Sequence, residues 1–252
     1  MVSARIRTMT GTHWLVLFGV VLCAWALLYA MALPEELRRA GQIYGADFLR
    51  SLCIVTPDAA GMVKVIFMWT LMSGAMMAPT ALPAFATYDE LSHTGQTRFG
   101  LLVAGYMAVW IGFAVLAGAL QMVLFRLDLV SAYGDSRSAI LSGALLIGAG
   151  IYQFSNLKEA CLVKCRAPLS FFMQHWAEGP LRNGLRLGAV CLGCCWALML
   201  LAFVGGVMNL AFMGLATLLM IIEKLPDLGR YLTKPLGFAL LAWGGWMLAQ
   251  AV

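Results

Sequence analysis

Six long apolar runs punctuate the chain, separated by short polar connections. The first runs from His13 to about Leu33 and reads as an uncleaved anchor, because no small-residue cleavage site follows it. The second covers Gly61 to about Phe85, the third Phe99 to about Phe125, and the fourth Ser138 to Leu157. The fifth, Leu187 to Ile222, contains no charged residue across 36 positions. That is too long for one crossing at ~1.5 Å per residue, and Gly205-Gly206 near its middle predicts two helices joined by a tight turn. Leu236 to Val252 closes the chain. A span needs about 20 apolar residues to cross ~30 Å of hydrocarbon. The pattern therefore predicts an all-α, polytopic transmembrane helical bundle of about seven spans. None of the runs alternates strictly, which argues against an outer-membrane barrel.

The connections hold the polar residues. Residues 34–60 form the longest early one, and Pro34-Glu35-Glu36 there reads as a helix start. Residues 86–98 contain Asp89, Glu90 and His93, and residues 126–137 are short and mixed. Residues 158–186 are basic and amphipathic, and residues 223–235 hold Glu223, Lys224, Pro226 and Asp227. The organisation predicted is an N-terminal anchor helix and loop over 1–60, then a metal-binding helical bundle over 61–252. No internal repeat interrupts it.

Composition strengthens this picture. Of 252 residues, 62% are apolar and 12% charged, against about 25% charged in an ordinary soluble chain. Mean hydropathy is +0.85. A soluble enzyme, a disordered tail and a free DNA-binding domain are thereby excluded. The net charge of +5 comes without a basic cluster carrying interleaved aromatics, so no nucleic-acid partner is implied. With seven spans, 11 Lys and Arg fall on the N-terminal side and 6 on the other. Cationic loops face the cytoplasm, so the N-terminus is predicted to be cytoplasmic.

Sulfur is the unusual component, with 7 Cys and 16 Met. Cys161 and Cys165 stand four apart and share a helix face. Cys191, Cys194 and Cys195 occupy about a third of a helical circumference. One loop joins the fourth and fifth runs, so both groups emerge on the same side and can meet at one interface. Thiolates and thioethers favour Cu(I), with zinc as the weaker competitor for the thiolates, and a protein that takes up Cu(I) there would deliver it to a partner or move it across the bilayer. Cys191, Cys195 and Met199 at i, i+4 and i+8 form a stripe leading from the mouth of the fifth run into its depth. Met68, Met72 and Met76 form a second stripe, followed by Pro79 and Pro83, which break or kink the helix there. Asn209, Met213, Met220 and Glu223 lie within about 80° of arc on a third. Polar groups in a bilayer face a bundle interior, so Asn209 and Glu223 are expected to mark that inward face. The blander alternatives are that methionine packs cores flexibly and that isolated cysteines, such as Cys23 and Cys53, serve as small apolar residues. His13, His93 and His175 read as interfacial residues. Lys158-Glu159 and Glu223-Lys224 read as edge anchors or ion pairs.

Several segments together resemble a bacterial family of predicted metal-binding integral membrane proteins. They are Met76-Met77-Ala78-Pro79-Thr80, Tyr152-Gln153, Leu157-Lys158, Cys161-x-x-x-Cys165-Arg166-x-Pro168, Cys191-Leu192-Gly193-Cys194-Cys195-Trp196-Ala197-Leu198-Met199, Gly205-Gly206-x-Met208-Asn209 and Glu223-Lys224-x-Pro226. The resemblance covers roughly residues 60–235. It implies a multi-pass protein of the bacterial inner membrane that supplies copper to copper enzymes, with a copper-receiving protein or membrane complex as partner. The candidate ligands rest on spacing and not on that resemblance.

No H-E-x-x-H, G-x-S-x-G or P-loop is present, so a metalloprotease, a serine hydrolase and a nucleotide-driven pump find no support. Two other classes remain open. A membrane thiol–disulfide oxidoreductase would use paired Cys with a quinone, and Cys191 with Cys194 supplies one C-x-x-C. A structural subunit of a larger complex would use the sulfur side chains only for packing.

Overall fold

The computed structural model describes residues 11–33, 54–91 and 98–251. Pro34, Glu35, Glu36, Cys53 and His93 lie outside them. The described residues are helical, with no strand beyond one bridge between Val130 and Ser136. In chain order the α-helices are α1 (Thr12–Ala32), α2 (Ala59–Leu91), α3 (Phe99–Arg126), α4 (Ala139–Gln153), α5 (Asn156–Arg166), α6 (Pro168–His175), α7 (Pro180–Leu200), α8 (Ala202–Gly205), α9 (Leu210–Glu223) and α10 (Gly229–Ala249).

Every apolar run is helical, but fewer than seven meet the length and composition of a crossing. Four do so: α1, α2, α3, and α7 continued through α8. The pair α4 and α5 qualifies only jointly and is bent by 63°. The α9 helix has 14 residues, about 21 Å. The α10 helix spends its first turns on Arg230, Lys234 and Pro235, which shortens its apolar part. Large apolar side chains face outward on α1, α3 and α10, among them Leu15, Leu116, Phe238 and Trp246. Such surfaces are compatible with lipid.

Pro79 and Pro83 do not end α2, which continues to Leu91. Proline 79 lacks an N–H, so the carbonyl of Ala75 loses its helical donor. Trp25 Nε1 of α1 donates to that carbonyl at 3.0 Å. The bond satisfies a buried backbone acceptor and fastens α1 to α2. At its other end α2 is capped by Asp58, which accepts from Gly61 N at 2.9 Å. The Thr56 hydroxyl and then the Gly61 amide hold the Asp58 carboxyl below its ordinary range.

Small residues set the helix spacing. A Cβ on Gly184 of α7 would lie 2.1 Å from the Leu102 carbonyl of α3, and one on Gly105 of α3 would lie 2.3 Å from the Leu181 carbonyl. Backbones therefore touch, as at close helix crossings in apolar media. These contacts pair 102 with 184 and 106 with 188, so α3 and α7 run parallel, and α2 runs antiparallel to both. Gly143 and Gly150 of α4 pack likewise against α10 at Gly244 and Gly237. The core between α2, α3 and α7 is filled by Met68, Trp69, Met72, Met77, Phe85, Tyr106 and Trp110.

The fifth run departs from expectation at its start. Gly179 takes φ +84 and Pro180 follows at the first helical position, so α7 opens seven residues before Leu187. Arg182 and Arg186 lie inside the helix, and Cys191, Cys194 and Cys195 fall near its middle instead of at its mouth. The expected turn forms where predicted, with Gly206 at φ +93.

Candidate metal centre

Helical spacing on α7 gathers three thiols. The sulfurs of Cys191, Cys194 and Cys195 all lie within 4.8 Å of one another. Cys194 Sγ is 3.2 Å from Cys195 Sγ and 3.1 Å from the Cys191 carbonyl oxygen. All three side chains are buried, at 2% exposure or less. They are free thiols, as are Cys23, Cys161 and Cys165.

The expected meeting of the two cysteine groups occurs. Ser155 starts α5 by accepting from Lys158 N, and α5 then lies against α7. Cys165 Sγ comes to 4.0 Å from Cys194 Sγ. Cys161 sits over Gly193, where a Cβ would be 2.6 Å from its sulfur. Glycine at 193 is thus what lets α5 approach the triad. Tyr152 at the end of α4 donates to the Gly193 carbonyl and closes the same flank. Cys161 and Cys165 are half-buried, so the sulfurs grade from partly exposed to enclosed.

Three residues that the sequence did not offer as part of a metal site complete the surroundings. Lys224 Nζ lies 2.9 Å from Cys191 Sγ and donates to Thr80 Oγ1 at 2.6 Å. Tyr106 donates to the Met77 carbonyl at 2.9 Å, with its oxygen 3.1 Å from Cys191 Sγ. Lys224 arrives there by length alone. Fourteen positions separate Cys191 from Gly205, and α9 has 14 residues, so the chain turning at Gly206 climbs back about 21 Å to the level of Cys191. The sequence hint was present, since Thr80 and Lys224 lie in two of the segments in the resemblance.

Glu223 is buried as expected but is held in an ion pair. Lys158 Nζ meets Glu223 Oε2 at 2.9 Å, with both side chains 1% exposed. Arg166 Nε donates to the Glu223 backbone oxygen at 3.0 Å. The pairing crosses between the two segments expected to form edge pairs, and it ties both ends of α5 to the end of α9. Burying both charges is tolerable only because they are matched.

The methionines Met68, Met72, Met76, Met199, Met213 and Met220 are all buried in the core. Met199 continues the Cys191–Cys195 face of α7 by one turn. Asn209 does not share the inward arc expected for it. It precedes the helix as the N-cap of α9, is exposed, and accepts from Phe212 N at 3.1 Å. Its amide is spent on capping, the role this residue type favours at a helix start. Of the histidines, His13 contacts Asp89 Oδ2 at 3.1 Å and His175 Nδ1 contacts the Phe171 carbonyl at 2.9 Å, both away from the sulfurs.

The donor set suits a soft metal. Three enclosed sulfurs at these separations can coordinate one ion, and thiolates select soft or borderline ions, Cu(I) and zinc among them. A structural zinc site takes four protein ligands, whereas the described triad supplies three. A family model described as PpoB2 copper chaperone matches residues 66–247. The chain belongs to the PpoB2 copper chaperone family. That stretch holds all five clustered cysteines, together with Thr80, Tyr106 and Lys224, and omits α1. No curated protein and no solved structure matches the chain.

Proposed function

We propose that this member of the PpoB2 copper chaperone family holds Cu(I) on Cys191, Cys194 and Cys195 and hands it to a copper-receiving protein, itself seated in a bilayer. The observation that carries the reading is the buried triad within 4.8 Å, set against Lys224 in a chain matched to copper chaperones. Buried cysteines alone would serve as packing. An ammonium in the same enclosure calls for a negative partner, because an unpaired buried charge is expensive. Metal-bound thiolates provide one. Three thiolates with one Cu(I) carry a net charge of −2, and the Lys224 ammonium beside Cys191 offsets part of it.

The protein's role is that of a carrier. The cysteine faces bind and release an ion. The four to five long apolar helices support an inner-membrane location. Arg98 and, within residues 158–186, Lys158, Lys164, Arg166, Arg182 and Arg186 are six of the twelve described Lys and Arg and lie in the segments leading into α3 and α7, which supports a cytoplasmic face there. The reducing cytoplasm would keep the thiols free.

Metal analysis of the purified full-length chain tests the reading. About one Cu(I) per chain, lost on Cys191→Ser or Cys195→Ser, is the expected result. A chain that carries a reducible disulfide and bound quinone instead of metal contradicts it and supports the oxidoreductase class.

A further inference from the structure

We infer that Cys165 and Cys194 form a second, outer metal position that shares Cys194 with the buried triad and serves as the exchange point for copper. This rests on the copper reading above and adds a route to it. The triad is enclosed by α2, α3, α7 and the end of α9, so a chelating partner has no direct access to it. Cys165 is the sulfur that joins the enclosed group to the half-exposed face of α5. Its Sγ is 4.0 Å from Cys194 Sγ. Two metal–sulfur bonds of ~2.3 Å span at most ~4.6 Å, so one ion bridges this pair without backbone movement. Cys161, one turn earlier on the same face, lies over Gly193 and next to the position an arriving ion would occupy.

The geometry sets the order of events. Cys194 belongs to both positions, so copper keeps its bond to Cys194, and to one other inner sulfur, while a third bond is exchanged. The bond to one inner sulfur, Cys191 or Cys195, breaks as the bond to Cys165 forms. The proton that Cys165 gives up goes to the displaced sulfur. Copper remains Cu(I), the number of bonds is unchanged and no oxidant or reductant is needed. Further exchanges of the same kind, each passing a proton from a thiol of the receiving protein to the sulfur it displaces, complete release. The buried Lys158–Glu223 pair and the Arg166 bond hold α5 in register for this step.

Transfer kinetics test the inference. The full-length chain, loaded anaerobically with Cu(I), is mixed with the Cu(I) chelator bathocuproine disulfonate, and release is followed by absorbance. Cys165→Ser should keep the wild-type copper content while release slows about tenfold or more. Cys165→Met, which retains a sulfur at the same position, should recover part of the rate and guards against a folding defect in the serine variant. A Cys165→Ser release rate equal to wild type overturns the inference while leaving the copper reading intact. Loss of copper in Cys165→Ser as complete as in Cys194→Ser also overturns it, because Cys165 is then a static ligand. A wild-type chain without bound Cu(I) overturns the parent reading together with this one.

Discussion

Lys224 Nζ sits 2.9 Å from Cys191 Sγ across 33 positions of sequence, the one from the end of α9 and the other from the middle of α7. The contact makes charge balance part of the metal centre. Removing the ammonium by Lys224→Met leaves the copper–thiolate charge uncompensated. A charge-assisted hydrogen bond contributes about 1.5–3 kcal/mol, so Cu(I) affinity should fall by roughly 10- to 100-fold. Competition against a Cu(I) chelator of known affinity measures this, and an unchanged affinity would remove Lys224 from the site. Lys224→Arg should rescue poorly, because a planar guanidinium cannot replace a compact ammonium between Thr80 and Cys191.

The Lys158–Glu223 pair predicts a strong asymmetry between single and double variants. Lys158→Met leaves Glu223 buried without its cation and should destabilise the fold by about 3–5 kcal/mol. The double variant Lys158→Met, Glu223→Leu should regain most of that loss. Thermal unfolding in detergent, compared across the three variants in a double-mutant cycle, reports the coupling. Additive losses would mean that the pair is not the clasp between α5 and α9.

Helix spacing around Gly184 is predicted to be intolerant. A Cβ there would overlap the Leu102 carbonyl at 2.1 Å, and backbone cannot yield as a flexible side chain can. Gly184→Ala should push α7 from α3, cost about 1–3 kcal/mol and lower copper content by displacing Tyr106 from Cys191. Unfolding midpoint and metal content are read on the same preparation. Gly214, whose added Cβ meets nothing within 4 Å, is the matched control.

Asn209 offers a prediction of the opposite sort. As the N-cap of α9 it should affect stability and not metal. Asn209→Ala should lower stability by about 0.5–2 kcal/mol with copper content unchanged. Copper loss at preserved stability would return Asn209 to the ligand set.

The helical character and the convergence of the two cysteine groups were legible in the chain, since i, i+3 and i+4 spacings fix which sulfurs share a face and one connection joins the two helices. Three features were hidden for definable reasons. The start of α7 was obscured because Arg182 and Arg186 break the apolar run although Pro180 opens the helix. Asn209 fits a helical arc on paper, but the positive φ at Gly206 shifts the helix start beyond it. Lys224 reads as an edge residue until the length of α9 is set against the depth of Cys191 in α7. Periodicity reports which residues share a face; it does not report how far one helix climbs along another.

The most direct test is the copper content of the full-length chain purified anaerobically, measured beside Cys191→Ser, Cys194→Ser and Cys195→Ser. The account predicts about one Cu(I) per wild-type chain, with sulfur-only coordination by X-ray absorption, and loss of copper in each of the three variants. Wild-type copper content in all three variants, or zinc in place of copper in the wild type, would contradict it.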